Sequence, residues 1–167
     1  TRASLVAAGR HLFATRGFES TTIAEIAEQA DTGVGSFYNY FKTKEAVLER
    51  IFEQTWTQLS EGLRAVSGRE APVTERLESV VKLMLKSYRL APDLIRVLVV
   101  EVTRSGHLRG RVDAIAAAFG VIEDLIREGQ DRGELRAGLD AKLASYALWG
   151  TIDEVLTGWV FDALIYE

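Results

Sequence analysis

An all-α fold is expected for this chain, on three observations. Apolar residues recur every three to four positions through nearly all of its 167 residues, and no segment alternates convincingly with period two. Residues that start and stop helices stand where that periodicity begins and ends, and only two prolines interrupt it. With 47% hydrophobic composition the chain is long enough for one well-buried core, or for a small domain fused to a larger one.

The first helix carries Leu5, Ala8, Leu12 and Phe13 on one face and is closed by Gly17. Thr22 with Glu25 three residues later is a capping box, hydroxyl and carboxylate taking up amides that a helix start leaves free. A second helix therefore begins there, with Ile23, Ile26, Ala27 and Ala30 inward. Asp31, Thr32 and Gly33 break the pattern, a third short helix takes Val34 to Phe41, and Thr43 caps a long fourth one. Val47, Leu48, Ile51, Phe52, Thr55 and Leu59 line one side of that fourth helix. "VSGREAPV", residues 66–73, combines glycine, proline and charge and reads as a loop. Helices follow from Thr74 to Leu90 and from Pro92 to Thr103, proline being tolerated in a first turn. "SGHLRG" bends the chain or starts a short helix. A longer helix carries Ile115, Phe119, Ile122 and Ile126 and ends at "DRGEL"; the last, from Asp140, is apolar on nearly every side. Such a helix has to be covered all round. Ile152, Leu156, Trp159 and Val160, together with Ile115, Phe119, Ile122 and Ile126, are therefore expected at the interface of a homodimer.

Composition excludes several function classes. The chain has no cysteine, hence no disulfide framework or thiolate metal site, and cytoplasm is the default expectation. Its most apolar stretch, Leu94 to Val102, is broken by Arg96 and Glu101 and falls far short of the ~20 residues of a bilayer span; with no charged, apolar-cored leader at its start, no membrane partner is expected. The only histidines, His11 and His107, have neither metal-ligand spacing nor a nucleophile beside them, so no enzyme, metal or cofactor is expected. A net charge of −4 argues against coating nucleic acid by bulk electrostatics. Up to residue 50, however, six basic residues balance six acidic ones, and the acidic excess lies downstream.

Two short helices joined by a tight turn have the layout of a helix-turn-helix, whose second helix enters the major groove of DNA. "GVGS" gives that helix a thin leading end: Gly33 and Gly35 add no bulk, while Val34 and Ser36 can reach methyl or hydrogen-bonding groups on bases. Phe37 and Phe41 anchor the other face. Tyr38 and Tyr40 lie nearer the DNA backbone, Asn39 between them can read a base or touch a phosphate, and Lys44 opens the fourth helix where a cation opposes the helix dipole. Plain packing is the competing account, since aromatics at helical spacing are usually core and glycines after a helix are usually caps.

From "LVAAGRHLFATRGFESTTIAEIAEQA" through "GVGSFYNYFKTKEAVL", the first fifty residues resemble the DNA-binding domain of the tetracycline-repressor (TetR) family, through Ala8, Phe13, Gly17, Thr21 to Ile23, Ile26, Ala27, Gly35, Tyr38, Phe41, Lys44 and Glu45. The resemblance implies a DNA-binding domain over 1–46, a ligand-binding and dimerisation domain over 47–167, and a homodimer on a palindromic, double-stranded operator. It also implies that Thr22, Tyr38 and Lys44 contact phosphates, and that Val34, Gly35, Ser36, Asn39 and Tyr40 lie at the groove; Thr32, whose hydroxyl stands where the family usually has an apolar side chain, is expected to contact DNA as well. The turn departs from the family's commonest Gly-Val-Ser by having Asp31, Thr32 and Gly33.

In the second half Met84, Tyr88, Leu98, Phe119 and Trp149 either surround a cavity for an apolar effector or fill the core. Arg104, Arg109 and Arg111 form solvated surface or receive an anionic group such as a nucleotide phosphate; Asp153 and Glu154 pair with arginines, line a polar corner of the pocket or meet the partner chain. "GELRAGLDAKLASYALWGTIDEVLTGWVF" resembles the last helices of the family's acyl-CoA-responsive regulators of fatty-acid degradation, which implies a long-chain acyl-CoA as effector. A helical protein-interaction adaptor without DNA binding is the alternative from another class.

Overall fold

The computed structural model describes residues 1–100 and 112–161. Their regular structure is all helical: α1 (Arg2–Arg16), α2 (Ile23–Gln29), α3 (Val34–Tyr38), α4 (Lys44–Ser67), α5 (Val73–Leu90), α6 (Pro92–Val100), α7 (Val112–Asp131) and α8 (Ala141–Val160). The helix starting at Pro92 is described only to Val100, and Arg104, His107, Arg109, Arg111 and the expected "SGHLRG" bend lie outside the described residues. So does the Ile115 side chain.

The chain forms two compact units, one of Thr1–Thr55 and Ala91–Gly110, the other of Trp56–Leu90 and Arg111–Glu167. This division differs from a cut at residue 46. In the first unit, α1 to α3 and the start of α4 close over Leu5, Ile26, Phe37, Val47 and Leu48, all essentially inaccessible to water, and Val97 of α6 belongs to the same core. Burying each such side chain contributes about 1.5–3 kcal/mol. The loop from α1 to α2 turns at Gly17, whose amide donates to the Phe13 carbonyl at 3.0 Å, and the buried Thr21 hydroxyl donates to the Gly17 carbonyl at 2.8 Å. Gly17 has φ +85° and ψ 156°, and open space where a Cβ would sit. Glycine is needed there for its backbone, not for room. Gly17→Ala is expected to destabilise the fold by about 1–3 kcal/mol in denaturant melts.

In the second unit α7 packs along α8, and α5 against both. Val80, Met84, Ile122, Leu125, Ile126, Ile152, Leu156 and Val160 form the core. This corrects the expectation for the dimer face. Ile122, Ile126, Ile152, Leu156 and Val160 are already covered within one protomer, and Trp159 tilts against Tyr88 with ring centroids 5.3 Å apart. The i, i+3, i+4 spacing marks α7 and α8 faces that bury themselves, and it does not tell burial within a chain from burial between chains.

A charged clasp ties the far end of this unit. The Arg76 guanidinium, 5% exposed, donates to the Ser67 carbonyl at 2.6 Å and to Glu128 Oε1 at 2.5 Å. Arg132 meets the same Glu128 oxygen at 2.8 Å, and Glu134 accepts from the Val73 amide at the start of α5. The end of α4, the start of α5 and the end of α7 are thereby joined.

Candidate functional site

The α2–turn–α3 segment is built from its caps. Thr22 accepts from the Glu25 amide while the Glu25 carboxylate accepts from the Thr22 amide at 2.8 Å, the reciprocal capping box its sequence announces. These bonds, and Arg16 at 2.6 Å, hold the Glu25 carboxyl below the usual range, the Thr22 backbone bond being the largest cause. Helix α2 ends in a Schellman pair: the Thr32 amide donates to the Ala27 carbonyl at 2.9 Å and the Asp31 amide to that of Glu28 at 3.0 Å. Asp31 takes the left-handed position, φ +50°, where glycine is usual.

Gly33 starts α3 with no side-chain cap. Helix α3 is shorter than the expected run to Phe41: Asn39 ends it, and the Tyr40 and Phe41 amides both turn back to the Phe37 carbonyl at 2.9 Å. Phe37 and Phe41 are buried, 5.9 Å apart between centroids, and hold α3 to the core. The opposite side is open. Val34, Gly35, Tyr38, Asn39 and Tyr40 are exposed, with Thr32 and Ser36 half-buried. The expected groove residues are thus brought together on one short, accessible element.

Two of the three expected phosphate contacts stand differently. The Thr22 hydroxyl donates to the Glu25 carboxylate at 2.8 Å and is already committed to its cap. Lys44 Nζ turns inward, donating to the carbonyls of Phe18, Glu19 and Thr21 at 2.8, 3.1 and 3.1 Å, 4.5 Å from the centre of the Phe18 ring. All three of its donors are spent on the loop before α2, because those carbonyls face the first turn of α4. Tyr38 keeps an open phenol.

Of the expected effector residues, Phe119 and Trp149 come together 4.7 Å apart, in a row that Trp56 and Tyr146 extend at 5.8 and 4.6 Å. Trp56 and Tyr146 are not among the expected effector residues; their only signal is an aromatic residue beside an aliphatic stripe. Met84 is buried, the Tyr88 hydroxyl donates to the Trp159 carbonyl at 3.3 Å, and Leu98 stands on α6 in the first unit. Asp153 is solvent-accessible but partly desolvated, which, with the Glu154 charge second, raises its carboxyl above the ordinary range. A raised carboxyl favours the fold while protonated, and that contribution fades as pH climbs through the folded value. Asp153→Asn is therefore expected to raise Tm at neutral pH, with the gain vanishing in acid.

Comparison with known proteins settles the class. The description "Bacterial regulatory proteins, tetR family" matches residues 5–51, and "YsiA-like protein, C-terminal region" matches 52–167. The chain belongs to the TetR family. It is a transcriptional regulator, not an enzyme. The fatty acid metabolism regulator protein of Bacillus subtilis (strain 168) is 28% identical over 165 residues, 98% of this chain and 85% of that protein. The fatty acid degradation regulator FadR from Bacillus halodurans superposes with a TM-score of 0.88 at 25% identity, over 99% of this chain and 87% of that one. FadR from Bacillus subtilis in complex with stearoyl-CoA gives a TM-score of 0.85 at 26% identity, over 99% and 90%. Among the described residues no helix is long and apolar enough to cross a membrane, and no cluster of His, Cys, Asp or Glu is placed to hold a metal.

Proposed function

We propose that this TetR-family regulator is a homodimeric, cytoplasmic repressor that sits on a palindromic operator and is released by a long-chain acyl-CoA. The observation that carries the effector is the similarity, over nearly the whole chain, to a regulator solved with stearoyl-CoA. The aromatic row of Trp56, Trp149, Phe119 and Tyr146 is compatible with an acyl chain. Residues 1–46 read DNA, and 47–167 bind effector and partner. Acyl-CoA between the effector helices shifts α4 as a lever and spoils the spacing of the two α3 helices; a coupling of ~1–3 kcal/mol suffices.

For the partner, α8 offers a stripe of exposed residues at helical spacing: Leu143, Tyr146, Ala147, Gly150, Thr151 and Glu154, with Leu143 64% and Tyr146 48% exposed. This face replaces the buried residues first expected at the interface. A gel shift with the DNA flanking its own gene, repeated with stearoyl-CoA, tests the reading. Selective binding that stearoyl-CoA reverses supports it; an intact dimer with no affinity for any DNA supports an adaptor instead. Leu143→Glu is expected to give monomers in sedimentation velocity and to lose operator binding.

A further inference from the structure

Helix α4 is gripped at both ends and held loosely between them. Among the described residues it is the one helix divided between the two units, the division falling after Thr55. Toward its start Val47, Leu48, Ile51 and Phe52 are buried. Toward its end Leu63 is wholly buried, Gly62 runs so near α5 that an added Cβ would stand 3.0 Å from Leu83, and the Ser67 carbonyl accepts from Arg76 at 2.6 Å. Every residue from Glu53 to Glu61 is half-buried or exposed. The two grips differ in kind. Apolar contacts let a helix slide slightly at little cost, whereas a charge-assisted hydrogen bond from a buried guanidinium weakens steeply once its length and angle change. The second prong of Arg76 is fixed by Glu128 Oε1 at 2.5 Å, and Arg132 steadies that oxygen at 2.8 Å, so Ser67 is tied to α7 as well as to α5.

We propose that the Arg76 clasp is the fulcrum on which α4 turns, and that Arg76 is the positioning residue that lets a push by the effector on α4 move the DNA-reading unit. The inference rests on the effector reading above. With Ser67 fixed, a helix rising about 1.5 Å per residue puts Trp56, the α4 member of the aromatic row, about 17 Å from the fulcrum and Lys44 about 35 Å from it. A sideways shift at Trp56 is thus about doubled at Lys44. Lys44 Nζ holds the carbonyls of Phe18, Glu19 and Thr21, so the enlarged shift reaches the loop that leads into α2. Without the clasp, the same push swings the Ser67 end of α4 instead and leaves the first unit undisturbed.

The test measures operator affinity by fluorescence anisotropy with and without saturating stearoyl-CoA, and stearoyl-CoA binding by calorimetry. Stearoyl-CoA is expected to weaken operator binding of the wild-type chain about five- to 150-fold, the usual span of coupling between two sites. Arg76→Met is expected to bind stearoyl-CoA and the operator separately as the wild type does, yet to lose most of that effect, keeping about threefold or less. Leu156→Ala, a truncation in the core of the same unit one turn from Trp159, lowers stability without touching the clasp and is expected to keep the wild-type effect. A full effect in Arg76→Met, or an equal loss in both variants, overturns the fulcrum alone. Should Arg76→Met fail to fold, Arg76→Lys, which keeps stem and charge but not the two-pronged fork, carries the same expectation. A wild-type chain that binds its operator and ignores stearoyl-CoA overturns the effector reading, and the fulcrum with it.

Discussion

Gly35→Ala is expected to make the protein more stable and a worse DNA binder at once. Gly35 lies inside α3 with an ordinary backbone, and a Cβ built on it meets nothing within 4 Å. Among the described residues nothing requires glycine there, while glycine in a helix costs about 1 kcal/mol relative to alanine. The melting temperature should therefore rise by roughly 2–4 °C. If the leading end of α3 seats against base edges, the added methyl displaces contacts worth about 1–3 kcal/mol, a roughly ten- to hundredfold loss of operator affinity. Thermal melts and fluorescence anisotropy read the two effects separately. A variant that melts higher and binds the operator as well as before would remove α3 from the groove.

A loss of stability is expected from Arg76→Met. The guanidinium is almost wholly buried, and its removal strips Glu128 and the Ser67 carbonyl of a close donor. Glu128 keeps Arg132, so the loss is chiefly that of the donor to the Ser67 carbonyl and of the buried stem's packing, about 1–3 kcal/mol, visible as a lower urea midpoint. Glu128 is held below the usual carboxylate range, first by its bond to Arg76 and also by the charges of Arg132 and Arg76. Its contribution is thus fully present above the unfolded value near 4.5 and is lost as pH falls through the lowered folded value. Arg76→Met should accordingly flatten the acid limb of the stability curve. Arg76 Nε has no partner among the described residues, and replacing Arg76 and Glu128 together by apolar residues is expected to cost less than either alone.

Helix identity was largely legible in the sequence because each helix announces itself locally. Thr22 and Glu25 form their box within four residues, and Gly17 and Asp140 mark ends and starts by their own backbone chemistry. The accessible face of α3 was legible for the same reason, since Phe37 and Phe41 fix which side is hidden. What local pattern cannot supply is the partner of a long-range bond. Lys44 looks like a phosphate ligand until the carbonyls of Phe18, Glu19 and Thr21, more than twenty positions earlier, arrive at its ammonium. Likewise Ile152 and Leu156 look like interface residues until α7 covers them. Arg76 raised no expectation at all, because nothing near it in sequence hints that Glu128 lies beside it.

Val97 is 1% exposed within the core that also holds Leu5, Phe37 and Val47, although it stands far along the chain from all three. A headpiece cut out at residue 55 would carry an unplugged hole, and swapping that segment alone between relatives would set a foreign α1 against the resident α6. Hybrid regulators with exchanged operator preference therefore need α6 grafted along with the first three helices. A limited digest that severs the chain after α4 should likewise leave the two fragments associated.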